Sequence, residues 1–558
     1  MVRRVLQVMY RDIRGLHEAA YFLAAFAFGS QILALVRDRL LAHEFGAGAA
    51  LDIYYAAFRI PDFLFAVFAS ALSVYVLIPF LADRMLENIE KARELVSTVF
   101  TWFLLGYGAI ALVIFSYAHG VVALFFPGFG IADQELLALV MRILLLQSFF
   151  LCLSGFFGVV TQLHRKFILY ALSPLLYNVG IICGIIFLYP ILGLSGLAAG
   201  VVIGAVLHLS VQIPFVFRSG LFPRLLGRVD VGFLLVLLKS SLPRAFALML
   251  QQFVLLALTA IATSMTTGSV AVLQFAYNLQ SVPLAIIGVS YSVAAFPTLA
   301  RLYSGGDRAA YLAHVYTALR HIIFWSIPTI ALFVVIRAQL VRVILGSGAF
   351  DWNDTRLTAA TLALFALSLV SQGVHLLIVR AFYAGGNTRT PLIVTTISSI
   401  GIVCAAAFLY ILYGQLPFLA QILADLFRVA DVVGTEMLIL PLAFSSISIV
   451  HSVVLVYLFM RQYGKGAGGD VRRVLAQSLG AGVVVAAASY AALNILVGGF
   501  RVDTSLGVFM QGFIAGVVGI AAGGIFLWSA GSHELKEVGI SMRRRFWQMR
   551  PIVPQEKE

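Results

Sequence analysis

Charge is what this chain has least of. Asp, Glu, Lys and Arg make up 11% of its 558 residues, where a soluble domain has about a quarter. With 61% of residues apolar and a mean hydropathy of +0.99, a soluble globular fold is excluded. Cysteine is scarce as well. Cys152, Cys183 and Cys404 each sit inside an apolar stretch, which leaves no disulfide framework and no metal-ligand spacing. Acidic residues are rarest in the second half: from residue 232 onward, no Asp or Glu lies inside an apolar run except Glu436 at an edge. Coupled protons and sodium ions commonly use buried carboxylates, so a coupled-ion site is not expected there. Thr395, Thr396, Ser398 and Ser399 are the remaining oxygen ligands. His119, His164, His208, His314, His321 and His375 share no helical pairing spacing, which argues against a metalloenzyme in the membrane. No cofactor and no enzymatic activity are expected.

What fills the chain is apolar runs, fourteen of them, near 19–45, 51–80, 97–117, 136–163, 168–190, 194–217, 232–263, 270–300, 313–336, 358–383, 391–413, 435–460, 474–497 and 507–531. Each is long enough to span a hydrocarbon layer of about 30 Å. With the N-terminus placed in the cytoplasm, the inner gaps, the run ends beside them (Arg320 and Arg380) and the C-terminal tail hold 27 of the 38 Lys and Arg residues. The outer gaps hold Arg337, Arg342, Arg356, Arg428 and Arg501. Basic residues resist translocation, so both termini are predicted to be cytoplasmic. The basic head, residues 1–14, leads into a run longer than the apolar core of a signal peptide and is expected to stay as a signal anchor. The net charge of +13 follows from this topology rather than from nucleic-acid binding. The tail, with Arg543, Arg544, Arg545, Phe546 and Trp547, suits anionic lipid headgroups and equally a plain topology anchor. Pro243 and Pro328 lie within runs and are expected to kink them.

The second half echoes the first at a nearly constant offset. Cys183, Phe187, Leu188 and Tyr189 recur as Cys404, Phe408, Leu409 and Tyr410, and Pro79, Leu81 and Ala82 as Pro297, Leu299 and Ala300. The expected fold is an all-α polytopic membrane protein of about fourteen transmembrane helices: two pseudo-symmetric six-helix lobes around a central cavity, plus two C-terminal helices. Six being even, the lobes share one orientation and the repeat is parallel. The expected organisation is a cytoplasmic basic N-terminus 1–18, an N-lobe 19–217, a cytoplasmic linker 218–231, a C-lobe 232–462, two further spans in 463–531, and a cytoplasmic basic tail 532–558. Within the C-lobe, 416–433 reads as an outer amphipathic helix with Asp425, Arg428 and Asp431 on its polar side.

The informative polar residues are those inside the runs. Arg37, Asp38 and Arg39 close the first run, Asp52 opens the second, and Arg59 and Asp62 follow within it. Arg37 lies 17 residues past Ala20, roughly 25 Å at about 1.5 Å per residue. A charge at that depth costs at least a few kcal/mol unless it faces a cavity or a partner. Two readings stand. In one, Arg39 snorkels to headgroups while Arg37 clasps Asp52 or Asp62. In the other, Arg37 and Arg59 line a cavity and attract an anionic headgroup, with Asp38 orienting an arginine, because a guanidinium presents a planar fork of donors to phosphate. Gln31, seven residues before Asp38 on the same stripe, adds a neutral hydrogen-bonding group. Arg142, Lys239 and Arg244 read as lobe-packing or inner-interface residues.

Several stretches resemble the MurJ/MviN-type lipid II flippases of the multidrug/oligosaccharidyl-lipid/polysaccharide exporter superfamily. They are Leu35-Val36-Arg37-Asp38-Arg39-Leu40 with Phe45-Gly46-Ala47-Gly48 and Asp52; Ala57-Phe58-Arg59-Ile60-Pro61; Phe126-Pro127-Gly128-Phe129; His164-Arg165-Lys166-Phe167 with Pro174 and Asn178; Gly348-Ala349-Phe350; and Phe382-Tyr383-Ala384 with Thr388-Arg389-Thr390-Pro391. The resemblance implies a non-enzymatic flippase in the bacterial inner (cytoplasmic) membrane. Its cargo would be a polyprenyl-diphosphate-linked glycan lipid, carried from inner to outer leaflet by alternating access, with cell-wall synthesis proteins as expected partners. It matches Arg37 and Asp38 to the family's cavity pair and Asp52 to its acid at the start of the second span. Gln31, Phe65 and Asn278 stand where the family usually has cavity arginines, and Leu258 where it has a membrane acid. The substrate-binding residues expected are therefore Arg37, Asp38, Arg59, Gln31, Asp52 and Asn278. The other readings are a flippase for a different polyprenyl-diphosphate oligosaccharide, an ion-coupled multidrug exporter, or a membrane scaffold without transport.

Overall fold

A computed structural model describes residues 16–72, 74–225, 231–464, 468–496 and 504–546, and among them every regular element is a helix. Twelve helices are long and apolar enough to cross a membrane, thirteen counting one bent pair. Among the described residues these do not by themselves confirm fourteen. The remaining expected span, 19–45, falls on the 30-residue helix Leu16–Phe45, whose side chains up to residue 24 lie outside those described, as do the side chains of Pro243 and Arg244 and residue Trp547.

Two spans depart from the single runs expected. The run 51–80 is three helices, Ala49–Ala57, Arg59–Ala71 and Val74–Glu87. The segment Ala49–Ser70 is already long enough to cross by itself, at about 1.5 Å per residue, which leaves Val74–Glu87 as a separate element. The run 358–383 is the pair Trp352–Ala366 and Leu369–Ala384, bent by 41°. By contrast, the helix Arg308–Val335 continues through Pro328.

Helices begin ahead of their apolar runs where a side chain satisfies the first free backbone amides. Asn88 Oδ1 accepts from the Glu90 N–H at 3.1 Å, Asp307 Oδ1 from Ala310 at 2.9 Å, and Thr504 Oγ1 from Gly507 at 3.1 Å. The amphipathic segment is shorter than expected, Pro417–Phe427, because Arg428 turns left-handed at φ 58 and ends it. Arg428 and Asp431 therefore lie past the helix rather than on its polar side. Phe418 and Leu426 on the helix itself are exposed, as befits an element lying in an interface.

The chain divides into two compact units. One comprises Met1–Phe275, Ile344–Thr358 and Thr395–Ala443; the other comprises Ala276–Val343, Ala359–Val394 and Phe444–Glu558. The helix Val231–Ala262 packs along Arg59–Ala71 within the first unit.

Small residues set the closest packing in the first unit. Helix Phe167–Cys183, continued by the π turn Gly184–Leu188, lies against Leu194–Ser210. A Cβ on Gly180 would come within 2.2 Å of the Gly204 Cα, and one on Gly184 within 2.6 Å of the Gly200 Cα. The spacing is that of two small-xxx-small stripes facing each other, which lets backbones touch where no hydrophobic effect drives helices together. Elsewhere in this unit Phe68, Phe103, Tyr107 and Phe149 form an aromatic cluster, and the Tyr107 hydroxyl donates to the Leu145 carbonyl at 2.6 Å. The second unit has its own core around Tyr311, Phe382 and Phe459.

Candidate functional site

The helix Leu16–Phe45 carries Gln31, Arg37 and Asp38. The Arg37 side chain folds back on its neighbour: Nε and Nη2 both donate to Asp38 Oδ1, at 2.9 and 2.7 Å. Its third bond leaves the helix, from Nη1 to Asn178 Oδ1 at 3.2 Å. Asn178, on Phe167–Cys183, is held in turn by donating to Ser30 Oγ at 3.3 Å and to the Pro174 carbonyl at 3.1 Å. Asp38 is 4% exposed, whereas the Arg37 side chain keeps 21% of its surface. The acid that neutralises Arg37 is Asp38, not Asp52 or Asp62.

A buried ion pair is tolerated when its remaining hydrogen-bonding capacity is used, and here some is left open. Three of the five guanidinium N–H groups are engaged. One on each terminal nitrogen has no partner among the described residues. Tyr54 and Tyr55 lie close to the guanidinium, and the buried Tyr55 hydroxyl also lacks a partner among those residues. The guanidinium thus keeps two N–H donors without a partner among the described residues, an arrangement that can take an anionic oxygen. Gln31 is half-buried, two turns earlier on the same helix.

Asp52 and Arg59 are built into the frame instead. Asp52 accepts from the Gly268 N–H at 2.6 Å and the Ala271 N–H at 2.8 Å, which caps the helix Ser269–Leu284 from another element. A carboxylate at a helix N-terminus satisfies free amides and complements the dipole. The approach is close: Gly268, at φ +96, has the Ala47 carbonyl 2.1 Å from where a Cβ would sit. Asp354 accepts the Ala47 N–H at 3.0 Å, and Glu436 accepts the Thr266 N–H at 2.9 Å and also its hydroxyl. Three carboxylates therefore fix the same group of interhelical loops. Arg59 is 6% exposed and donates from Nε to Thr259 Oγ1 at 2.7 Å and from Nη2 to Gln274 Oε1 at 2.6 Å, bridging three helices. Arg39 donates to the Ile344 carbonyl at 3.5 Å rather than only snorkelling. Asn278 belongs to the second unit, where it is half-buried and its carbonyl accepts from the Ser281 hydroxyl at 2.6 Å.

Of the six residues expected, the structure joins Arg37 to Asp38 and adds three that the sequence reading did not assign to the site: Asn178, Ser30 and Tyr55. Asn178 was visible as an amide isolated in an apolar run one turn after Pro174. Nothing in the sequence marked Tyr55.

The family model described as "Lipid II flippase MurJ" matches residues 41–509. That segment contains Asp52, Arg59, Asn178 and Asn278, while Gln31, Arg37 and Asp38 lie just ahead of it. The chain is similar to the "Probable lipid II flippase MurJ" of Haemophilus influenzae, 29% identical over 396 residues that cover 67% of this chain and 77% of the relative. It is also similar to the "Lipid II flippase MurJ" of Burkholderia cenocepacia, 28% identical over 411 residues, 69% of this chain and 78% of the relative. Among solved structures, a "Lipid II flippase MurJ, inward closed conformation" superposes with a TM-score of 0.71 at 22% identity, covering 91% of this chain and 99% of that one. An inward-facing multidrug resistance MATE family transporter of the MOP superfamily gives 0.63 at 14% identity, over 77% and 94%. These structures share the fold.

Proposed function

Because the chain belongs to the lipid II flippase MurJ family and is a multi-pass membrane protein, we propose that it moves a polyprenyl-diphosphate-linked peptidoglycan precursor, lipid II, from the inner to the outer leaflet. The observation that carries this reading is the Arg37 guanidinium, positioned by Asp38 and Asn178, with one N–H on each terminal nitrogen lacking a partner among the described residues. Without cargo the Arg37–Asp38 pair is neutral, which lowers the cost of keeping it inside the membrane. On arrival, a diphosphate oxygen takes the two open donors, while Asp38 keeps the fork aimed. Transport is translocation without a covalent step, so the chain is not an enzyme on this reading.

In the proposed cycle the two six-helix lobes, 19–217 and 232–462, rock about a central cavity, and Gln31 and Asn278 add neutral contacts to the cargo. Asp52 and Arg59 hold the frame. Both termini are cytoplasmic in the bacterial inner membrane, supported by the excess of Lys and Arg in the inner gaps. The basic tail binds anionic lipid, and cell-wall synthesis proteins are the expected partners. A second reading, a different polyprenyl-diphosphate oligosaccharide as cargo, is favoured by Gln31, Phe65 and Asn278 standing where the resemblance leads one to expect arginines.

Depletion of the protein tests the function. Lipid II is expected to accumulate in the inner leaflet; normal exposure on the outer leaflet under depletion rejects the reading.

A further inference from the structure

Two histidines far apart in the sequence meet within the spans of the second unit. His375 is on Leu369–Ala384 and His451 on Ile439–Tyr463. Nδ1 of His375 lies 3.2 Å from Nε2 of His451, with ring centroids 4.6 Å apart at 70°. Each sits well inside its span, nine residues from Ala384 and twelve from Tyr463, so roughly 14 and 18 Å from those ends at about 1.5 Å per residue. Ionisable side chains at such depth are expensive and mark ion and proton pathways. Neither is sealed: both are half-buried.

We propose that His375 and His451 form a proton-binding site whose occupancy sets how tightly their two helices are held together. In the neutral pair, one ring donates its bridging N–H to the lone pair of the other, and the acceptor ring carries its proton on its far nitrogen. One ring nitrogen, on the far side of the donor ring, is then a free base. A hydronium ion gives its proton there: an N–H bond forms, the hydronium O–H bond breaks and leaves water, and the pair gains one positive charge. The bridging contact becomes an imidazolium–imidazole hydrogen bond, about twice as strong as a neutral one. A second proton would leave two like charges facing each other and part the helices.

Burial and the partner ring are what act on the pair. The helix Leu369–Ala384 packs against Ala285–Val289, Ser290–Ser304 and Arg308–Val335. On these elements Tyr291 stacks on His321, His321 faces Glu537 and Arg320 faces Glu534, and Tyr311 donates to the Ala381 carbonyl at 2.7 Å. Arg380, on His375's own helix, donates to Ser292. The other charged or titratable groups are Arg301, Tyr303, Arg308, His314 and Tyr316 on the packing helices, Tyr383 on the helix of His375, and Tyr457, Arg461 and Tyr463 on that of His451. The one acting on His375 is His451. One turn before His375, Gln372 donates to Gln280 Oε1 at 3.1 Å and to Ser368 Oγ at 2.8 Å. Gln280 Nε2 is buried without a partner among the described residues. Two amides and a hydroxyl are therefore linked one turn from His375, on its own helix and the helix of Gln280. Sodium is disfavoured here because it wants oxygen ligands, whereas a bare imidazole nitrogen is a proton acceptor.

The consequence for transport rests on the flippase reading; the proton site does not. Two measurements on the full chain separate them. In lipid nanodiscs, nitrogen-15 spectra of histidine-labelled protein are expected to show coupling across an N–H···N bond between the two rings and a joint titration, both lost in His375→Gln and in His451→Gln. In vesicles, flipping of a fluorescent polyprenyl-diphosphate lipid is expected to vary with pH by up to about tenfold per unit, the limit for one linked proton, and both variants are expected to give a flat profile. Independent titration of the rings overturns the site. An unchanged pH profile in both variants overturns its role in transport. Coupled rings in a protein that flips no diphosphate lipid at any pH would instead sink the flippase reading and leave the site standing.

Discussion

Nη1 of Arg37 lies 3.2 Å from Oδ1 of Asn178, although the two residues are far apart along the chain. This contact, together with the two hydrogen bonds to Asp38, decides which guanidinium hydrogens stay without a partner among the described residues. It also ties the helix Leu16–Phe45 to Phe167–Cys183, so the site is positioned by packing rather than by a flexible loop.

Asn178→Ala removes one hydrogen bond to a charged group, at about 1.5–3 kcal/mol, and frees the guanidinium to swing. Flipping of lipid II in vesicles is expected to fall about tenfold or more, while the protein still folds and its melting temperature drops by only a few degrees.

Arg37→Lys keeps the charge but loses the fork. A lysine ammonium presents a point charge where two parallel N–H bonds are needed. Cargo binding, measured by titrating the purified protein with an undecaprenyl-diphosphate lipid, is expected to weaken at least tenfold. Binding at wild-type affinity would show that charge alone suffices.

Gly200→Leu forces a side chain into the Gly184 backbone, where even a Cβ would come within 2.3 Å. The two helices must part, and folded protein is expected to be lost from the membrane. Gly200→Ala should cost about 1–3 kcal/mol, the usual range for overpacking, and appear as a lower melting temperature with residual transport.

Asp52→Ala leaves the amides of Gly268 and Ala271 without their acceptor. The loss of a charged cap is expected to cost about 1–2 kcal/mol, read as a lower melting temperature, with faster hydrogen exchange at the start of Ser269–Leu284.

Asp431 gives the pH dependence. Its carboxylate accepts from Arg356 Nη1 and Nη2, both at 2.6 Å, and this bonding holds its pKa below the ordinary value of 3.8. A group with a depressed folded-state pKa stabilises the fold above its unfolded pKa, and that contribution is lost only as pH falls through the lower, folded value. The Arg356–Asp431 clasp is therefore expected to persist at pH 5 and to open below the normal aspartate range. The carbon-13 shift of the Asp431 carboxyl should report this, with an Arg356→Gln variant returning it to the ordinary range.

The spans were legible because long unbroken apolar runs have few other uses, and the observed helices end within a few residues of the expected runs. The breaks were not. Pro61, which has no N–H to bond the Ala57 carbonyl, is the local mark of the division at Phe58, but it was not read as one, and nothing local marks the bend before Leu369. Within the site, Arg37 and Asp38 stood out as charges in an apolar run. Their partner Asn178 and the neighbouring Tyr55 were decided by which helices pack together, and a contact between positions so distant in sequence leaves no periodic trace. The same holds for Asp52, whose charge suggested an ionic partner but which caps a helix far downstream, beginning at Ser269. His451 met His375 for the same reason: the histidine spacings carried no pairing signal because the pair is made between helices.

The most direct test of the central claim is leaflet accessibility of lipid II in vesicles containing the purified chain. Wild-type protein is expected to move the lipid across the bilayer, and Arg37→Ala, reconstituted to the same level, to leave it on the side where it was placed. Equal movement by both proteins, or none by the wild type, would contradict the account.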